Sequence, residues 1–255
     1  MCSRFDLTGK IALITGGAGG IGRAIAEGFA EQGAHIMVAD MNTENFDSTA
    51  DRIRSIGRQV RSVCVDITSK ESVEAMVKST LDNFCQIDIL VNAAGTKSWL
   101  STDDMPVDEW QRVMDVNVRG AFISCKTVGH EMIRQKSGII INMSSVRGRF
   151  GSQNGEADYC TSKGAIDALT RTLACEWSKY GIRVNAIAPT VVETEFVSRV
   201  FNNPRTVDYL KKRIPLGRCA VTEDLVGPVI FLASEASGYI TGQIIYVDGG
   251  MTART

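Results

Sequence analysis

Seven short apolar runs rich in β-branched residues recur along this chain: "KIALITG" (10–16), "HIMVAD" (35–40), "VRSVCVD" (60–66), "IDILVNAAG" (87–95), "SGIIINMSS" (137–145), "IRVNAIAP" (182–189) and "QIIYVDGG" (243–250). They are near-continuously apolar rather than alternating, which marks strands buried on both faces. Between them lie stretches of helical period, such as "IGRAIAEGFAEQG" (21–33) and "KESVEAMVKSTLDNF" (70–84). Strand and helix taking turns from end to end predict an α/β fold: a doubly wound parallel sheet of Rossmann type with helices on both faces and right-handed crossovers. At 255 residues the chain has room for one large domain or two small ones. No repeat, linker or low-complexity tract divides it, so a single domain over 1–255 is expected. The least regular piece is 189–216, with prolines at both ends, and reads as a long loop acting as a substrate lid.

Charge excludes several classes. Lys plus Arg is 28 and Asp plus Glu is 29, with no basic run for nucleic acid and no charged tail for a membrane surface. No apolar run approaches the ~20 residues of a membrane span, and "MCSRFDLTGK" lacks the apolar core of a signal peptide. A cytoplasmic protein is expected. The seven cysteines (Cys2, Cys64, Cys85, Cys125, Cys160, Cys175, Cys219) are scattered without C-x-x-C, and only His35 and His130 offer imidazole. No metal site is expected, and most cysteines read as small core residues in a reducing compartment.

Two stretches carry chemistry. "TGGAGGIG" (15–22) follows the first strand and opens a helix. Glycines there permit a tight turn and close backbone approach to a pyrophosphate at a helix N-terminus. Two frames fit: Gly17, Gly19 and Gly22, or Gly16, Gly20 and Gly22, with Ile21 inside the run. Asp40 ends the second strand, where a carboxylate accepts both ribose hydroxyls of NAD and repels the 2′-phosphate of NADP. An Asp capping the next helix is the bland alternative. In "EADYCTSKGAIDALT" (156–170), Tyr159 and Lys163 are four apart and share a helix face. A tyrosine pKa of ~10 needs about 4 kcal/mol to reach 7. A cation ~4 Å away at an effective dielectric of ~20 supplies that.

With these motifs stand "NAAG" (92–95), Asn117 in "DVNVRGAF", "NMSS" (142–145) and "NAIAPTVVET" (185–194). In this order they resemble the soluble short-chain dehydrogenases/reductases over nearly the full length. The C-terminal part also resembles gluconate 5-dehydrogenases and sugar-alcohol enzymes. The resemblance implies a tetrad of Asn117, Ser145, Tyr159 and Lys163, with Ser145 preferred to Ser144 on an inferred one-residue insertion before the tyrosine. Tyr159 would move the alcohol proton, Ser145 hold the substrate oxygen, Lys163 acidify the tyrosine and grip the ribose, and Asn117 hold a water that joins the lysine to solvent. Other NAD contacts implied are Asp66, Ile67, Asn92, Ala93, Gly95, Pro189, Val192 and Thr194. A homotetramer is implied as well. One departure stands out: the family's Pro-Gly is Pro189-Thr190 here, which puts the nicotinamide-loop geometry in question. On the substrate side, Arg147 points to an anionic or hydroxyl-rich small molecule, with Trp99 and Lys97 lining the same cleft and Arg149, Gln153 and Glu193 nearby. The expected activity is NAD-dependent interconversion of a secondary alcohol and a ketone on a sugar acid, polyol or other charged alcohol. The alternatives are a 3-oxoacyl-thioester reductase, a hydroxysteroid dehydrogenase and an NAD-sensing binding protein.

Overall fold

The computed structural model describes residues 3–153 and 155–253, so Cys2 lies outside the described residues. Each apolar run becomes a strand. In chain order these are β1 (Ile11–Thr15), β2 (His35–Asp40), β3 (Val60–Cys64), β4 (Ile89–Asn92), β5 (Gly138–Met143), β6 (Ile182–Pro189) and β7 (Ile244–Val247). They form one parallel sheet in the order β3-β2-β1-β4-β5-β6-β7. The order reverses between β1 and β4, which opens a crevice at the carboxyl ends of the strands.

Strand side chains alternate between two cores. Ile14, Ile36 and Val38 pack with Ile25 and Phe29 of α1 (Gly20–Glu31) and with Leu225 and Val229 of α9 (Glu223–Ala233). Their neighbours Leu13, Met37 and Leu90 face the other way. They meet Val73 and Met76 of α3 (Lys70–Phe84), Val128 of α5 (Ala121–Gln135) and Leu173 of α6 (Ala157–Trp177). Two further helices, α2 (Phe46–Ser55) and α4 (Val107–Met114), complete the layers, and a π-helical turn over Asp115–Gly120 joins α4 to α5.

Three expectations change. First, β3 is an edge strand with Arg61, Ser62 and Cys64 exposed, because it has a neighbour on one side only. Second, of the described cysteines only Cys125 and Cys219 are buried; Cys64, Cys85 and Cys175 are exposed. Those three sit on an edge strand, at a helix end and on an outer helix face. Third, the stretch after Pro189 is helical in part: α7 (Ser198–Phe201) and α8 (Pro204–Arg213). The Asn203 side chain accepts hydrogen bonds from the Arg205 and Thr206 amides, and Pro204 takes the first turn, where its missing N–H costs nothing. Lys211, Lys212 and Arg213 end α8 where cations favour the helix dipole.

Candidate active site

At the carboxyl ends of the strands lies a cleft of about 780 Å³. At one end the glycine run turns from β1 into α1. Gly16 and Gly20 adopt φ of 69° and 48°, whereas Gly17 and Gly19 do not need a positive φ. A β-carbon on Gly16 would sit 2.6 Å from the Ala94 nitrogen, and one on Gly22 would strike the Gly16 carbonyl. The working frame is therefore Gly16, Gly20 and Gly22. No side chain caps the start of α1, so its first amides are free to meet an anion. Asp40 lines the same end; its Oδ2 accepts from the Ala18 amide at 3.1 Å and its Oδ1 from the Asn42 amide at 3.0 Å. Each oxygen keeps acceptor capacity for a hydroxyl. Asp66, Ile67, Ala93, Gly95, Pro189, Val192 and Thr194 also line the cleft, with the Asp66 carboxylate accepting from the Thr68 amide and hydroxyl at 2.9 and 2.7 Å.

Asn92 does not face the cleft. It is buried beneath it, donating to Asn142 Oδ1 at 2.9 Å, and Asn142 in turn donates to Thr170 Oγ1 at 3.0 Å. The two asparagines stand opposite each other in the β4–β5 register, so their amides tie the two strands to α6.

In the middle of the cleft α6 presents Tyr159 and Lys163 one turn apart. Tyr159 is hydrogen-bonded to Ser145. Ser144 instead donates to Asp167 at 2.5 Å, so neighbouring serines serve different partners. Lys163 Nζ donates to the Met143 carbonyl at 2.6 Å and lies 5.4 Å from the centre of the Tyr159 ring. The Asn117 amide donates to the Thr96 carbonyl at 2.8 Å and to Ser162 Oγ at 3.0 Å, and its oxygen accepts from the Thr96 amide at 2.7 Å. Burial pushes Tyr159 up to about 12, against the Ser145 hydrogen bond, and pushes Lys163 down to about 8, against Asp167. Desolvation is the largest influence on both groups, and the Lys163 ammonium is engaged by a carbonyl.

At the far end Glu156 joins two cations. Its Oε1 lies 2.9 Å from Lys97 Nζ and its Oε2 lies 3.1 Å from Arg147 Nε. Burial raises the carboxyl pKa, but Lys97 and then Arg147 more than reverse this and leave it below the usual range. Trp99 covers Lys97, its ring centre 3.6 Å from Nζ, and Phe196 tilts over Tyr159 at 6.3 Å between ring centres. Thr190 avoids the left-handed region; its hydroxyl faces Met251 Sδ at 3.0 Å, which brings the last turn, Met251–Ala253, to the cleft wall. Thr190 therefore carries no left-handed strain.

The family described as enoyl-(acyl carrier protein) reductase matches residues 16–252. D-Threitol dehydrogenase of Mycolicibacterium smegmatis is 37% identical, over 98% of this chain and 95% of that protein. An NAD-dependent glycerol dehydrogenase of Listeria innocua is 38% identical, over 98% and 96%. The crystal structure of a gluconate 5-dehydrogenase from Burkholderia cenocepacia in complex with NADP and tartrate superposes with a TM-score of 0.94, 37% identity, and coverage of 99% of this chain and 98% of that one. The chain belongs to the short-chain dehydrogenase/reductase family. It is an oxidoreductase acting on alcohols.

In this short-chain dehydrogenase/reductase the cleft gathers Ser145, Arg147, Tyr159, Lys163, Lys97 and Trp99. Asn117 stands behind Gly95, its oxygen 3.3 Å from where a β-carbon there would be. Arg149, Gln153 and Glu193 are not among the lining residues; the Arg149 guanidinium lies by the rings of Phe150 and Tyr246. Lining residues not singled out from sequence include Ser152, Glu156, Phe196 and Met251. For Glu156 a signal existed, an acid three places before the tyrosine in a chain that offers Lys97 and Arg147. Ser152, Phe196 and Met251 carry no mark beyond their neighbourhood.

Proposed function

We propose that this dehydrogenase interconverts a secondary alcohol and a ketone on a polar or anionic small molecule, such as a polyol, a sugar acid or a sulfonated alcohol, with NAD as the redox partner. The observation that carries the reading is Tyr159, hydrogen-bonded to Ser145 and one helical turn from Lys163, in the same cleft as the glycine cradle and Asp40. Gly16, Gly20, Ile21 and Gly22 hold the pyrophosphate. Asp40 holds the ribose, Asp66, Ile67, Ala93 and Gly95 flank the adenosine, and Pro189, Val192 and Thr194 meet the nicotinamide end. NAD, when bound, supplies the hydride acceptor and a positive charge. Tyr159 takes the alcohol proton as general base, Ser145 donates to the substrate oxygen, and Lys163 lowers the cost of the phenolate. Asn117 keeps the lysine connected to solvent through a water. Arg147 and Trp99 contact the remainder of the substrate, and residues 189–216 close over it. A cytoplasmic homotetramer is the assembly this reading carries.

Reduced-nicotinamide absorbance with a panel of polyols, sugar acids, hydroxysteroids and hydroxyacyl thioesters tests it. Turnover of a polar alcohol is expected with NAD and weakly with NADP, because Asp40 repels a 2′-phosphate. Tyr159→Phe is expected to lower kcat by about 10²–10⁴ without unfolding the protein. Near-normal turnover in that variant would remove the tyrosine from the mechanism. Equal use of NADP would remove Asp40 as the discriminator.

A further inference from the structure

The proposed roles leave Glu156 and Lys97 in the cleft without a task. Glu156 stands between Lys97 and Arg147, with each carboxylate oxygen facing one cation, and Ser152 adds a further hydrogen bond. The Lys97 side chain is 7% exposed and that of Glu156 17%, so this is no surface ion pair. Lys97 Nζ is also 5.8 Å from the centre of the Tyr159 ring, which puts the cluster beside the phenol.

The backbone at Glu156 is unusual in its own right. Glu156 has φ 72° and ψ 26°, a left-handed conformation that a residue with a β-carbon adopts at a cost. Two other described non-glycine residues have positive φ, Cys85 and Lys136, and both end helices, where such a turn is common. Glu156 instead precedes α6, at the capping position, and its side chain makes no capping bond. Serine or aspartate would serve the helix better and glycine the turn better. The carboxylate is turned to the cleft.

We propose that Glu156 is the specificity-determining residue of the substrate end, and that it selects uncharged polyols over their carboxylated or phosphorylated analogues. This rests on reading the site as that of an alcohol dehydrogenase. A free guanidinium beside a free ammonium would capture anions. Glu156 already occupies one nitrogen of each and brings two cations down to a net charge of about +1. A vicinal diol meets such a pair without breaking it, because each hydroxyl can donate to the carboxylate and accept from an N–H. An incoming carboxylate has to approach Glu156 at close range or pull a cation from it, leaving a buried charge poorly compensated. Trp99 offers the carbon chain an apolar face.

The test uses matched pairs, threitol with threonate and glucitol with gluconate, and kcat/KM with NAD. The wild-type enzyme is expected to prefer each polyol by about tenfold or more, and Glu156→Gln to abolish or reverse that preference. Arg147→Met, which removes a cation, is expected to sharpen the preference, and it decides the matter should Glu156→Gln fail to fold by circular dichroism. Equal or better use of the aldonates by the wild type overturns the inference, as does a Glu156→Gln variant that changes both members of a pair alike. Oxidation of apolar secondary alcohols alone also overturns it, while leaving the alcohol dehydrogenase reading intact. No hydride transfer from any alcohol removes both.

Discussion

Lys163 is a buried cation whose main partner is a neutral carbonyl, and that has a consequence for stability. Its pKa is depressed by burial to about 8, below the ordinary value of 10.5. Between those values the unfolded chain holds the proton more tightly than the folded one, so this group's contribution rises with pH from about 8 to 10.5 and is lost as pH falls through 8. Lys163→Met removes the dependence. Thermal melts of the two proteins are expected to differ most in the variant's favour at pH 7, with the gap narrowing by pH 10; a constant gap would place the lysine in solvent. The Tyr159–Lys163 pair was readable from spacing alone, because a helix fixes which residues share a face. What spacing could not give was the Met143 carbonyl, which reaches the lysine from the end of β5. The ion pairs of Glu156 were out of reach for a similar reason: its partners stand on two other segments, at 97 and 147.

Among the elements, α6 repeats one device, with Tyr159, Lys163 and Asp167 at successive four-residue steps, each tied to the β5 end or the residues just after it. Helix α8 is its opposite. It has no buried residue, so little but its cap and its proline holds it. Asn203→Ala is expected to cost about 1 kcal/mol of local stability. Hydrogen exchange across 204–213 should quicken while the global melting temperature stays unchanged, and kcat/KM should fall if the segment closes over substrate. Unchanged exchange would mean that the cap does not hold the helix. The helical character of this stretch escaped the sequence because its apolar residues are too few to mark a period. Asn203-Pro204 was the one local sign, and a proline reads as readily as a loop. The cysteines misled for a related reason: a small apolar side chain suits an edge strand or an outer face as well as a core.

For the molecule as a whole, the doubly wound parallel architecture was the readable part, since seven apolar runs alternating with helices imply a sheet covered on both faces. The edge position of β3 was not readable, because it depends on which strands pair. At the end of the sheet away from the cleft, Asp88 ties two strands: its Oδ2 accepts from the Ile11 amide at 2.8 Å, and Lys10 lies 3.6 Å from its Oδ1. Asp88→Ala leaves that amide unpaired and is expected to cost about 1–3 kcal/mol in denaturant unfolding with kcat/KM unaltered. A drop in kcat/KM at full stability would contradict this division of the sheet. The reversal between β1 and β4 gathers every lining residue at one end of the strands. Along each strand, then, tolerance to change has a direction. In a library of random substitutions, those near the amino ends would register as lost protein and those past the carboxyl ends as lost or altered chemistry. Lineages that diverge in substrate while keeping the scaffold can do so by varying the second group alone.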